Sequence, residues 1–220
     1  MTDIRTISDL QQRMSDEFTW RKKELHAIKS QVQLNEKTRM RDMCIRSAIA
    51  LLYAHWEGLV KSISRDYLDF VKMQRIKNRE LSRILLDVSV SKLVRQATGG
   101  NRIQPCLDVV DFFSSQMESR TKVDLASAIN TKSNLKSDVF KEIVIILGLD
   151  YSIFATKEKL LDQKLLAHRN GIAHGQYLDV DYKEYLDLHV EMVSIMQEFY
   201  DQVENSAILG LFRGVPQTLP

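Results

Sequence analysis

Residues 37–74 read KTRMRDMCIRSAIALLYAHWEGLVKSISRDYLDFVKMQ, with one glycine, Gly58, and no proline. Ile45, Ala48, Leu52, Trp56, Leu59, Ile63, Tyr67 and Phe70 recur at steps of three and four, which lines them along one helix face. About 35 helical residues at 1.5 Å each span roughly 50 Å, longer than the usual globular helix. So long an apolar stripe requires either a long bundle or a surface shared with another chain. The stretch decides the class: an all-α, elongated helical bundle.

Outward from it the same period recurs. Ile7 to about Val32 predicts a helix with Leu10, Met14, Phe18, Leu25 and Ile28 near one stripe. Arg79 to Ala97 and Pro105 to Met117 read as helices, with Thr98-Gly-Gly-Asn101 as the turn between them. Ser137 and Asp138 look like an N-cap for Val139–Leu147, which Gly148 closes. Lys157 to about His168 is amphipathic through Leu160, Leu161, Leu165 and Leu166, and a loop with Gly171 and Gly175 is expected next. Asp181, with Glu184 three residues on, reads as a capping box for the last long helix. The buried face of that helix would hold Tyr182, Tyr185, Leu186, His189, Met192, Val193, Met196, Tyr200 and Val203. No strand, repeat or interdomain linker stands out. The expected organisation is one domain over residues 1–220, with a core at about 37–207 and an irregular helical insertion near 75–135.

Composition narrows the class further. The chain has 220 residues, 44% hydrophobic and 27% charged, with 3 Pro and 8 Gly, which excludes collagenous and disordered readings. Cys44 and Cys106 are too few for a disulfide framework and carry no CxxC spacing, so reduced thiols in the cytoplasm are expected. The polar Met1–Leu10 segment lacks a secretory pattern, and the apolar run Ile143–Leu147 is far short of a membrane span. The formal charge of +2 does not by itself predict a nucleic-acid partner. Lys61–Arg102, however, carries ten Lys/Arg against four Asp/Glu, a balance of +6. Gln176–Asn205 carries one Lys against eight Asp/Glu, a balance of −7. The basic segment could attract phosphate; helix faces of opposite sign packed together explain the same pattern.

The most informative short stretch is His168-Arg-Asn-Gly-Ile-Ala-His-Gly175. The Arg169 guanidinium can grip two phosphate oxygens and hold charge that develops on phosphorus. Histidine is the side chain that most often passes protons near neutral pH, which makes His174 a candidate acid/base. Asn170 can orient either group without adding charge. Spacing alone is weak support, and helix-end capping accounts for the same residues.

The string Arg169-Asn-Gly-Ile-Ala-His174 resembles the signature of the HEPN superfamily. Tyr53-Ala-His-Trp-Glu-Gly58, followed by Lys61 and Tyr67-Leu-Asp-Phe70, looks like the second-helix pattern of its MAE-type nucleases. Ser133-Asn-Leu135, Leu147-Gly-Leu-Asp150, Val180-Asp-Tyr182 and Glu204-Asn-Ser-Ala207 also match, so the likeness covers roughly residues 40–207. The resemblance implies an all-helical, usually dimeric, metal-independent ribonuclease of prokaryotic conflict systems, a toxin or anti-phage effector. It implies attack by the RNA 2′-hydroxyl, which leaves 2′,3′-cyclic phosphate and 5′-hydroxyl ends. By position, His174 would be the acid/base, Arg169 the phosphate clamp and Asn170 the orienting residue, with Glu57 and Lys61 in support. No cofactor or metal is implied. The implied partners are RNA, a second copy of the chain, and an antitoxin or defence-system protein. A silent HEPN module that binds a nucleotide or partner protein is the alternative.

Glu57 and Lys61 also suit an i,i+4 ion pair on a helix surface. His55 and His189 fall on apolar faces, where packed, hydrogen-bonded histidines are the rule. His168, His174 and Asp179 lack a recognised metal-ligand spacing. Tyr177 could stack on an RNA base or pack on the bundle. No P-loop, GxGxxG, GxSxG or HExxH motif is present.

Overall fold

Thr6 starts the bundle. Its hydroxyl accepts the Asp9 N–H at 3.1 Å and the Asp9 carboxylate accepts the Thr6 N–H at 2.9 Å, a closed capping box at the head of α1 (Ile7–Leu34). The computed structural model describes residues 3–99, 103–121, 129 and 134–214. The long stretch forms α2 (Arg41–Met73), which packs against α1 and against the last helix, α8 (Tyr182–Leu209). Every residue of the α2 stripe from Ile45 to Phe70 is buried. Trp56 meets Phe140 edge-on at 4.8 Å, and Phe140 continues to Phe154 at 5.0 Å and Phe199 at 5.6 Å. Met192 and Met196 of α8 are buried in the same core. The stripe is therefore satisfied inside one chain, which removes the shared surface that its length suggested.

Gly58, the one glycine of α2, lies under α1. A Cβ there would stand 3.0 Å from Arg21 Nη2, so the glycine leaves room for a buried arginine that pairs with Glu17.

The insertion is looser. Residues 78–80 form a 3₁₀ turn and Ser82 caps α3 (Arg83–Thr98), so this helix begins four residues later than its sequence pattern suggests. A second helix, α4 (Ile103–Asp111), runs into a π-helical turn at Phe112–Gln116. No residue of α4 is buried, and Ile103, Leu107 and Val110 face outward. Buried Asn78 secures the base: it donates to Gln116 O at 2.9 Å and accepts from Thr121 Oγ1 at 2.9 Å. Ser82 N donates to Phe212 O at 2.8 Å, which ties the insertion to the end of the described chain. Of the turn predicted at 98–101, residues 100 and 101 lie outside the described residues.

Beyond it come α5 (Ser137–Ile146) and the short α6 (Ser152–Ala155). Ser137 is not the N-cap expected of it; Lys136 holds that position. The cap comes from far along the chain, where the Asp162 carboxylate accepts Ser137 N at 2.8 Å and Ser137 Oγ at 2.5 Å. Asp162 sits in a π-helical stretch, Leu160–Leu166, that passes directly into α7 (Ala167–Ala173). Gly171 consequently lies buried inside a helix, not in the loop its sequence suggested. Asp181 caps α8 through Lys183 N and Glu184 N, as expected. The Glu184 carboxylate, however, reaches Lys164 at 3.2 Å instead of closing a box. Among the described residues there is no strand, and no helix is long and apolar enough to cross a membrane.

Candidate active site

The end of α7 sets the site. His174 N donates to Asn170 O, Gly175 N to Ile172 O and Gln176 N to Gly171 O, with Gly175 at φ +70°. This is a Schellman closure, which needs a residue without Cβ strain at the left-handed position. It makes His174 the C-cap residue and turns the chain sharply after it. The His174 side chain is exposed, and it makes no hydrogen bond or ion pair among the described residues.

Arg169, one turn back, lies against α2. Its guanidinium carbon is 4.8 Å from the centroid of the Tyr53 ring. Its Nη1 donates to Asn134 Oδ1 at 3.1 Å and to Asn170 Oδ1 at 2.9 Å. Both acceptors are neutral amides, so they orient the fork and leave its charge for an anion. Asn170 thus bonds to Arg169, not to the imidazole.

Tyr53 and Glu57 stand one turn apart on α2. The buried Tyr53 hydroxyl accepts the Leu135 N–H at 2.7 Å and donates to the Glu57 carboxylate. Burial, reinforced by the negative charge of Glu57, pushes this phenol up to about 12, although Leu135 N–H and Arg169 pull the other way. Glu57 therefore reaches the site through Tyr53, and half-buried Lys61 follows one turn further along α2.

The remaining candidates lie apart. His55 is buried at the α1 contact, with Nε2 2.8 Å from Glu24 and its ring edge-on to Trp20. His189 is buried with Nε2 3.2 Å from Leu25 O. Burial lowers the pKa of both, and both are the packed histidines their sequence positions suggested. His168 has a buried Nδ1 without a partner among the described residues, and burial lowers its pKa too. Tyr177 is 76% exposed; its hydroxyl donates to Asp42 at 3.4 Å, and the Arg46 guanidinium lies 5.4 Å from its ring. Asp179 is exposed. Among the described residues no three His, Cys, Asp or Glu side chains gather closely enough to hold a metal ion.

Sequence reading passed over Arg46, and quoted Tyr53 and Asn134 only within family-like strings, with no role at the site. Tyr53 stands four residues before Glu57 and Arg46 seven before Tyr53, so helical spacing already puts all three on one face of α2. Asn134 comes from the chain before α5, and no local pattern links it to Arg169.

The chain is thus an all-α bundle in which α7, carrying Arg169 and Asn170, packs on the Tyr53 face of the long α2. The RiboL-PSP-HEPN family model matches residues 16–205, and the chain belongs to that family. Neither a curated protein nor a solved structure matches it.

Proposed function

We propose that the chain is a metal-independent endoribonuclease. The observation that carries the reading is that α7 presents an arginine fixed by neutral partners and, at its exposed end, an unengaged imidazole. Arg169 binds non-bridging oxygens of the scissile phosphate and balances the charge that grows there during attack. The ribose 2′-hydroxyl attacks its own 3′-phosphate, and the P–O5′ bond breaks. The products are a 2′,3′-cyclic phosphate and a 5′-hydroxyl. His174 moves a proton in this exchange, taking it from the nucleophile or giving it to the leaving oxygen. Asn170, Asn134 and Tyr53 keep Arg169 in place, with Glu57 and Lys61 behind them.

One histidine per chain serves one side of the reaction, so the working unit is a homodimer with two α7 ends facing across an isologous cleft. The buried α2 stripe and Met192–Met196 do not supply its contacts, which fall instead around the exposed α7–Tyr177 end. The superfamily likeness, with the narrower MAE-type one, favours a cytoplasmic toxin or defence effector held in check by a partner protein. End-group analysis of cut RNA tests the chemistry. Cyclic phosphate with 5′-hydroxyl ends supports it, and 5′-phosphate ends contradict it.

A further inference from the structure

Arg46, Tyr53 and Glu57 occupy one face of α2, and α7 with the turn after it lies along that face. Arg169 meets this face at Tyr53. Seven residues away, about 10 Å of helix, Tyr177 meets it at Arg46. His174 lies in the sequence between these two contacts. An open cleft of about 260 Å³ is lined here by Arg46, Ile172, Gly175, Gln176 and Tyr177. Arg46 Nη1 is buried and has no hydrogen-bond partner among the described residues. A dry guanidinium donor without an acceptor is costly, and an incoming anionic oxygen is the natural partner for it. Three acids lie nearby: Asp42 is held by Arg41 at 2.9 Å and receives the Tyr177 hydroxyl, Asp181 caps α8, and Asp179 is exposed. Tyr177 lies across the arginine with three-quarters of its surface in solvent, free to turn its ring onto a base.

We infer that Arg46 is a second phosphate-binding residue, and that the cleft between it, Gly175, Gln176 and Tyr177 holds the RNA nucleotide next to the scissile phosphate. The inference rests on the ribonuclease reading. One strand then runs along α7 with a guanidinium at each end, so that the scissile phosphate meets Arg169, the adjacent phosphate meets Arg46, and His174 faces the ribose between them. Tyr177 stacks on the flanking base and so tolerates any sequence.

The test is binding of a short fluorescent single-stranded RNA to the full chain in a His174→Ala background, which keeps the strand uncut. Arg46→Gln is expected to weaken binding about tenfold at low salt, and to reduce the slope of log K against log salt by about 0.7, one phosphate contact on a single strand. Arg46→Met, which keeps the packing of the stem, should lose the same slope; Arg46→Lys should restore it. Tyr177→Ala should cost fivefold or more with the slope unchanged. Melting curves establish that each variant is folded. Affinity within twofold and an unaltered slope for Arg46→Gln and Arg46→Met overturn the subsite, and the nuclease reading survives if the native chain still cuts RNA. RNA binding that depends on Arg46 in a native chain that never cuts leaves the subsite standing and overturns the nuclease. Absence of RNA binding overturns both.

Discussion

The Arg169 guanidinium lies on the face of Tyr53, 4.8 Å from its centroid, while the Tyr53 hydroxyl accepts Leu135 N–H at 2.7 Å. One buried phenol thus supports the arginine and fastens the chain that delivers Asn134, the arginine's other restraint. A cation–π contact of this kind contributes about 0.5–2 kcal/mol, depending on solvent exposure. Its value at the site is orientation of the fork.

Tyr53→Phe keeps the ring and removes the hydroxyl. The Leu135 N–H is left buried without its acceptor, at a cost of about 1–3 kcal/mol. Thermal denaturation should show a loss of roughly 2–4 °C for each of these kcal/mol. RNA cleavage should fall less than in Tyr53→Ala, which also removes the platform. Equal cleavage by the two variants would argue that the ring does not orient Arg169.

Asp162→Ala removes the carboxylate that caps α5 from the helix leading into the motif. The expected loss is about 1–2 kcal/mol, the usual cost of deleting a helix cap. Asp162→Asn retains one acceptor and should recover part of it. Denaturant midpoints of the three proteins decide the matter, and identical midpoints would show that the cap is idle.

This cap marks the limit of what was readable in the sequence. The α2 stripe, the Asp181 cap and the glycine stop at Gly148 are local signals, repeated within a turn or two, and each matches the structure. Asp162 is 25 residues from Ser137, so nothing near Ser137 announced that its cap arrives from elsewhere. Gly171 misled for a related reason: a glycine beside a turn signals a loop, yet this one is covered by the Gln176 side chain within a helix closed four residues later. Arg169, Asn170 and His174 were legible as a motif. That Asn170 binds the arginine, and that Tyr53 and Asn134 complete its setting, depends on how α2, α7 and residue 134 pack.

Asp66 gives the chain a pH signature. Burial, together with the charges of Glu17 and Asp69, outweighs Arg13 at 3.4 Å and raises its carboxyl to about 6. The folded state therefore holds this proton more tightly than the unfolded state does. The associated stability is fully present below about pH 4 and is lost as pH rises through about 6. Asp66→Asn should be more stable than the native chain at pH 7 by the order of 1–2 kcal/mol, with the gain vanishing near pH 4. Urea midpoints at pH 4, 5, 6 and 7 measure this, and a difference independent of pH would refute it.

On the proposed chemistry, α7 carries a phosphate clamp and a proton carrier for RNA cleavage without metal. The direct measurement is the initial rate of cutting of a total-RNA pool, with a chelator in excess, by the native chain and by Arg169→Ala and His174→Ala. Circular dichroism melts accompany each rate. The expected result is cleavage by the native chain and a loss of about 10²–10⁴ in rate for His174→Ala, with a comparable loss for Arg169→Ala and no change in fold. Undiminished cutting by His174→Ala, or cutting that appears only when a divalent metal is added, would contradict it.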